Sequence, residues 1–124
     1  MADQKRILVV DDEKPLSTAL QLKLTHEGFL AETADDGQEA LDKAKATPYD
    51  LILLDLMMPN VDGFAVLAEL QKLGHTTPVI VTTNLSQVED KQKALSLGAT
   101  EYIVKSDTPL TEIIAHIKRI LNIS

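Results

Sequence analysis

The chain contains no cysteine among its 124 residues. Disulfide bonds, catalytic thiolates and cysteine-ligated zinc sites are therefore excluded. Aromatic residues are also scarce, at 3% of the sequence with no tryptophan, although 44% of the residues are hydrophobic. A core formed by this chain must therefore be built mainly from aliphatic side chains.

Long apolar runs and an excess of basic residues are missing as well. No stretch approaches the length of about 20 apolar residues that crosses a membrane, and the polar residues 1–6 lead into a short apolar run without a signal-peptide pattern. The sequence has 12 lysines and arginines and 19 acidic residues, which gives a net charge of -7. The sequence therefore predicts a cytoplasmic protein with no membrane insertion and no direct nucleic-acid binding, and its acidity suits a metal cation or a basic partner surface.

Five short apolar runs alternate with five longer amphipathic segments. The runs comprise residues 7–10, 30–34, 51–54, 79–82 and 102–104. Three of them are nearly continuous Val, Ile and Leu, which is typical of strands buried on both faces of a parallel sheet. We therefore expect a single α/β domain over residues 1–124. Its doubly wound, five-stranded parallel sheet would have the flavodoxin-like order 2-1-3-4-5, between two layers of helices.

The amphipathic segments predict five helices. Pro15 marks the first turn of the first helix and Gly28 its end, while Gly37 opens the second. Thr108 is the predicted N-cap of the last helix, with Pro109 at its first position. The apolar positions expected to face the sheet are, helix by helix, Leu16, Leu20 and Leu24; Ala40, Leu41 and Ala44; Phe64, Leu67 and Leu70; Val88, Leu95 and Leu97; and Leu110, Ile113, Ile114, Ile117, Ile120 and Leu121.

Acidic residues follow two strands that the predicted order makes neighbours. Asp11, Asp12 and Glu13 come after the first strand, and Asp55 follows the third. Ligands of such sheets bind beyond the carboxyl ends of the strands, where the strand order reverses. Adjacent strands lie ~4.8 Å apart, so the carboxylates would repel one another unless a cation or protons neutralise them. An all-oxygen acidic site suits Mg²⁺.

Thr83 and Lys105 end the fourth and fifth strands at the same edge. A hydroxyl and an ammonium beside a carboxylate–metal cluster suit phosphoryl oxygens, and the central Asp55 is placed to act as a nucleophile that forms an aspartyl phosphate. Each residue alone has an ordinary structural explanation, so only their joint placement favours function. Asp35 and Asp36 follow the second strand, on the far side of the first strand from Asp55, and are better explained as a turn into the second helix.

Four blocks of sequence, in this order, resemble the motifs of response-regulator receiver domains. They are residues 7–13 (ILVVDDE), 50–63 (DLILLDLMMPNVDG), 78–83 (PVIVTT) and 98–105 (GATEYIVK). The resemblance covers essentially the whole chain and implies a phosphorylation-activated signalling switch of a two-component or phosphorelay system, not primarily an enzyme. Such a domain takes a phosphoryl group from a histidine kinase or a histidine phosphotransfer protein. It then changes the surface that it presents to a downstream protein target or effector domain.

The resemblance also implies a role for each matched residue. Asp55 would be the phosphoacceptor and a metal ligand. Asp12 would bind Mg²⁺ directly, Asp11 through water, and Met57 through its backbone carbonyl.

The remaining roles concern the phosphoryl group and the response to it. Thr83 and Lys105 would contact the phosphoryl group. Tyr102 stands where the family has an aromatic that changes rotamer when Thr83 moves. Thr83 and Tyr102 together would form the switch.

Two departures from the family pattern lie beside these residues. Asn84 stands where a small residue usually follows the threonine, and it would narrow access to the phosphoacceptor or hydrogen-bond near it. Ser106 replaces the proline that usually follows the lysine in the family, often after a cis peptide bond. A cis bond to serine costs about 2.5–4 kcal/mol, so a trans bond is expected here. The direction in which the Lys105 side chain points is therefore left open. The resemblance also implies that the side chains of Met57 and Leu85 flank the path of an attacking water, and neither orients water strongly. Slow self-dephosphorylation is therefore predicted.

Three other functions compete with this interpretation. A haloacid-dehalogenase-like phosphatase would need a second acid where Met57 stands, two residues after the nucleophile. A flavin-binding flavodoxin would need a hydroxyl- and glycine-rich loop where residues 11–13 are acidic. A pseudo-receiver that binds partners without phosphorylation is disfavoured because Asp55, Thr83 and Lys105 are all present.

Overall fold

The sheet of the computed structural model has five parallel strands in the order β2-β1-β3-β4-β5, as the sequence predicted. The structure describes residues 4–58 and 62–123. Residues 59–61, part of the 50–63 block, and residues 1–3 of the predicted polar N-terminus lie outside them. The strands are β1 (Arg6–Val10), β2 (Leu30–Ala34), β3 (Leu51–Leu54), β4 (Val79–Thr83) and β5 (Glu101–Val104).

In the described residues, five helices connect and follow the strands. They are α1 (Lys14–His26), α2 (Gly37–Ala46), α3 (Gly63–Lys72), α4 (Val88–Ser96) and α5 (Leu110–Ile120). A short 3₁₀ turn, Lys105–Asp107, lies between β5 and α5. Within the described ranges, none of the helices combines the length and the apolarity needed to cross a bilayer.

Two hydrophobic layers, one on each face of the sheet, hold the domain together. Along β1, Ile7 and Val9 pack with α1 and α5, whereas Leu8 and Val10 pack with α2 and α3. This alternation follows from the two-residue period of a strand. The central strands are buried on both faces, so their side chains are almost wholly aliphatic, and each fully buried one contributes about 1.5–3 kcal/mol.

The start of α5 differs from the prediction. Pro109, not Thr108, is the N-cap residue, and the helix begins at Leu110. The Thr108 hydroxyl donates to the carbonyl of Val104 at 3.0 Å, and its N–H donates to the carbonyl of Lys105 at 3.2 Å. Thr108 therefore closes the preceding 3₁₀ turn and does not cap α5.

The predicted apolar face of α4 is only partly right. Val88 and Leu95 are 65% and 41% exposed, whereas Ala94 is fully buried. Leu97, just after the helix, packs against the core as expected. Successive side chains on a helix point about 100° apart. Because Ala94 points into the core, Leu95 points toward solvent.

Candidate functional site

Strand register brings Asp11 and Asp55 side by side. Val10 pairs with Leu54, so the residue after each strand leaves the sheet at the same level. The backbone continues the ladder here, because the Asp55 N–H donates to the Val10 carbonyl at 2.9 Å. Both carboxylates are buried, at 2% and 3% exposure. The predicted convergence of β1 and β3 carboxylates is therefore present in the fold.

Asp12 completes the acidic cluster from the solvent side. One carboxylate oxygen from each of Asp11, Asp12 and Asp55 lies within 4.8 Å of the other two. Carboxylate oxygens are ligands that Mg²⁺ prefers, and the exposed side of the cluster leaves room for the several waters that this ion keeps. The Met57 N–H donates to Oδ1 of Asp55 at 3.1 Å, which fixes the loop after β3 beside the cluster. The metal role of the Met57 carbonyl stays a prediction.

Lys105 directly follows the carboxyl end of β5, and its side chain reaches into this cluster. Its ammonium nitrogen lies 2.7 Å from Oδ2 of Asp11, 3.1 Å from Oδ2 of Asp55 and 3.2 Å from Oε1 of Glu13. The Lys105 side chain is 8% exposed, so its contacts with the buried Asp11 and Asp55 are shielded from water, whereas Glu13 is 57% exposed. The sequence left the aim of Lys105 open, and nothing in it indicated that Asp11 and Glu13 are partners of this lysine.

The pKa values of this cluster shift for opposing reasons. Burial raises the pKa of Asp11 above its ordinary value, because desolvation outweighs the hydrogen bond and charge of Lys105. Burial acts to lower the pKa of Lys105, but the hydrogen bonds and charges of Asp11 and Asp55 outweigh it and raise that pKa. The Lys105 ammonium faces the carboxylates of Asp11, Asp55 and Glu13. The ammonium therefore stays charged, but its single positive charge neutralises the negative charge of the three carboxylates only in part.

Thr83 reaches the same edge of the sheet as Lys105. It pairs with Val104 at the end of β4 and β5. Its side chain is fully buried, and its Oγ1 accepts from the Leu85 N–H at 3.4 Å. Accepting this bond leaves the hydroxyl proton free to be donated to another group.

Tyr102 links β5 to the loop after β4. Its hydroxyl donates to the Leu85 carbonyl at 2.7 Å, and its ring packs, half-buried, against the core. Burial raises the pKa of this hydroxyl, so it remains a donor at neutral pH. The residue predicted as a switch aromatic thus contacts the loop that follows Thr83, while the switching role itself stays a prediction.

Gly63 allows the first turn of α3 to approach the loop of Asp55. A Cβ at this position would lie 2.5 Å from the Asp55 carbonyl oxygen and 2.5 Å from the Cα of Leu56. Real Cβ contacts are never this short, so only glycine fits. The Gly63 N–H donates to the Leu56 carbonyl at 3.0 Å and holds this approach in place.

The second acidic pair has a structural role, as predicted. Oδ1 of Asp36 accepts from the Glu39 N–H at 2.9 Å and caps α2. Asp35 forms an exposed ion pair with Lys14, at 2.7 Å. Neither residue joins the carboxylate cluster of the described residues.

The two departures from the family pattern contact each other. The Ser106 N–H donates to Oδ1 of Asn84 at 3.1 Å. No cis peptide bond occurs in the described part of the chain, so the bond between Lys105 and Ser106 is trans as predicted. Sequence reasoning missed this contact, and the only signal for it was the joint presence of both substitutions.

Comparison with known proteins identifies the family. A family model described as the response regulator receiver domain matches residues 7–118. The chain is 41% identical over 115 residues to the response regulator ArlR of Staphylococcus epidermidis, covering 93% of this chain and 52% of that protein. It is 42% identical over 116 residues to ArlR of Staphylococcus aureus, covering 94% and 52%. The chain thus spans about half the length of the curated relatives it matches.

Solved structures agree with this assignment. A CheY-like receiver domain protein from Methanospirillum hungatei has a TM-score of 0.91 at 29% identity, covering 97% of this chain and 95% of that one. The response regulator TrrA of Thermotoga maritima, in complex with Mg(2+)-BeF, has a TM-score of 0.83 at 36% identity, covering 94% and 98%. The family model, the related sequences and the matching fold together show that this chain is a receiver domain of the two-component response-regulator family.

Proposed function

We propose that this receiver domain accepts a phosphoryl group on Asp55, with Mg²⁺, from the phosphohistidine of a histidine kinase or phosphotransfer protein in the cytoplasm. The observation that carries the proposal is the position of the Asp55 carboxylate. It is buried at the point where the strand order reverses, beside Asp11 and 3.1 Å from the Lys105 ammonium. A structural aspartate would not need two further carboxylates and a buried lysine around it.

The chemistry follows from the groups around Asp55. One of its carboxylate oxygens attacks the phosphorus, an oxygen–phosphorus bond forms, and the phosphorus–nitrogen bond of the donor breaks with its electron pair left on the imidazole. The Met57 N–H holds the carboxylate in one orientation, at 3.1 Å from Oδ1. Lys105 would neutralise a phosphoryl oxygen and Thr83 would donate a hydrogen bond to another.

Asp11, Asp12 and Asp55, with the carbonyl of Met57, would hold the Mg²⁺ ion. The ion would supply positive charge to the phosphoryl oxygens. Support comes from the three carboxylate oxygens within 4.8 Å of one another and from the Mg(2+)-BeF complex of the Thermotoga relative. Asp11 and Asp55 also hold the Lys105 ammonium, at 2.7 Å and 3.1 Å.

We take residues 1–124 as one receiver domain that controls a downstream protein target or an effector domain. Tyr102 supports this output, since its bond to the Leu85 carbonyl joins β5 to the loop after β4. Met57 is 55% exposed, while Leu85 is half-buried against the core. Neither orients water strongly, so we expect slow loss of the phosphoryl group and a signalling rather than a metabolic role.

Intact mass after incubation with acetyl phosphate and Mg²⁺ tests the proposal. Wild type should gain one phosphoryl group, and Asp55→Asn should gain none. Asp62→Asn is the matched control, since Asp62 caps α3 near the site and asparagine caps equally well. It should be labelled like wild type. Labelling of Asp55→Asn to the level of wild type would place the acceptor elsewhere.

A further inference from the structure

The hydrogen bond between Asn84 and Ser106 joins the two loops that carry the phosphoryl-binding residues. Asn84 directly follows Thr83, and Ser106 directly follows Lys105. The bond runs from the Ser106 N–H to Oδ1 of Asn84, at 3.1 Å, across a separation of 22 residues. The backbone next to the lysine is therefore tied to the side chain next to the threonine.

This bond satisfies a backbone group of the 3₁₀ turn Lys105–Asp107. The first N–H groups of a helical turn have no acceptor within the turn. The N-cap residue is Val104, whose side chain accepts no hydrogen bond. Asn84 supplies the acceptor from another loop, and Thr108 closes the opposite end through its N–H, at 3.2 Å from the Lys105 carbonyl. Lys105 thus begins a turn that is held at both ends.

The position of this turn matters because Lys105 makes several short contacts. Its ammonium lies 2.7 Å from Asp11 and 3.1 Å from Asp55. A displacement of the backbone by about 1 Å would lengthen such contacts beyond hydrogen-bonding distance, and misplacement of that size slows reactions markedly. A proline at position 106 would have no N–H to donate to Asn84. The asparagine can therefore act in this way only when residue 106 is not proline.

We propose that Asn84 is a positioning residue for Lys105. By accepting the Ser106 N–H, it fixes the 3₁₀ turn and so keeps the Lys105 ammonium against Asp55. Asn84 acts through Ser106 and touches none of the reacting atoms. The inference rests on the proposed function, in which Lys105 neutralises the phosphoryl group.

The first test measures the rate of phosphorylation by acetyl phosphate at saturating Mg²⁺. Asn84→Ala should slow it about three- to tenfold, the range expected from one exposed hydrogen bond. Ser106→Ala keeps the N–H and should leave the rate unchanged, as should Ser86→Ala in the same exposed loop. In the Ser106→Pro background the bond is already absent, so adding Asn84→Ala should have no further effect. Equal slowing by Asn84→Ala in both backgrounds would overturn the proposal.

The second test needs neither phosphoryl donor nor Mg²⁺. An ammonium held by three carboxylates exchanges its protons slowly, so Lys105 should give a lysine ammonium signal by NMR that disappears in Lys105→Arg. Asn84→Ala should broaden or shift this signal, and Asn84→Asp, which keeps an acceptor oxygen, should restore it. An unchanged signal in Asn84→Ala would overturn the inference. Failure of wild type to become phosphorylated, with the signal responding as stated, would count against the proposed function alone.

Discussion

The ammonium of Lys105 and the carboxylate of Asp11 lie 2.7 Å apart, although 94 positions separate them in the chain. Both groups are nearly inaccessible to solvent, at 8% and 2% side-chain exposure. Removing one partner of such a pair leaves an uncompensated buried charge, which costs more than the intact pair contributes. The stability of the domain should therefore depend on this cluster in ways that solution experiments can measure.

Replacement of Lys105 by methionine should lower the free energy of unfolding by about 3 kcal/mol in Mg²⁺-free buffer. Asp11 and Asp55 would then repel each other without a nearby cation. Added Mg²⁺ should recover part of this loss, because it binds only the folded cluster. Urea unfolding with and without Mg²⁺ measures both effects.

The matched control for that experiment is Lys14→Met. Lys14 pairs with Asp35 at 2.7 Å, but their side chains are 69% and 49% exposed. Such a pair contributes about 0–1 kcal/mol. Equal stability of the Lys105 and Lys14 variants would show that burial of the Lys105 pair has no energetic weight.

The stability of the Asp11→Asn variant relative to wild type should rise between pH 4 and pH 7 in Mg²⁺-free buffer. The pKa of Asp11 is raised above its ordinary value of 3.8 in the folded state. Protonation of Asp11 therefore favours the folded state, and this contribution to stability is complete below pH 3.8. It is lost as the pH rises through the folded pKa. Asparagine cannot ionise and avoids this loss. Urea midpoints of variant and wild type across that pH range test the sign; a variant that loses stability relative to wild type as the pH rises would contradict it.

Asp12→Ala and Asp36→Ala should have opposite consequences. Asp12 lies in the carboxylate cluster, so its loss should weaken Mg²⁺ binding. Asp36 caps α2, so its loss should cost about 0.5–2 kcal/mol of stability and leave Mg²⁺ binding intact. Mg²⁺ titration by NMR and urea unfolding of each variant separate the effects. Equal loss of Mg²⁺ affinity in both variants would show that the proposed metal site is wrong.

A Met57→Asn, Leu85→Glu double variant should lose its phosphoryl group faster than wild type. Asparagine and glutamate can orient a water for attack, whereas methionine sulfur accepts weakly and leucine not at all. Because Leu85 packs partly against the core, stability must be measured alongside. The decay of phosphorylated protein after donor removal gives the rate. A folded variant that decays no faster than wild type would show that these positions do not control hydrolysis here.

Phosphorylation should change the amide NMR shifts of β4, α4 and β5 more than those of α1 and α2. A propagated change requires that phosphorylation stabilise one of two existing arrangements. Tyr102→Phe removes the 2.7 Å bond to the Leu85 carbonyl and should reduce the change in β5. Shift changes confined to the loop after Asp55 in wild type would argue against a propagated switch.

Much of the site could be predicted because parallel strands end at one edge of a sheet. The aliphatic runs set the strands, and their alternation with helices set the order in which Asp11, Asp55, Thr83 and Lys105 reach that edge. The second acidic pair was separated from the first by the same reasoning. These predictions needed only the spacing of apolar residues within each segment and the order of the strands and helices along the chain.

The partners of individual polar atoms were decided only by the tertiary structure. Asp11 and Glu13 as partners of Lys105, and Ser106 as the donor to Asn84, bring together loops that are distant in sequence. Thr108 was predicted to cap α5 but closes the 3₁₀ turn instead. Hydrophobic periodicity decides which face of an element is buried. A hydrogen bond depends on loop paths to within a few tenths of an ångström, and the packing of the whole domain sets those paths.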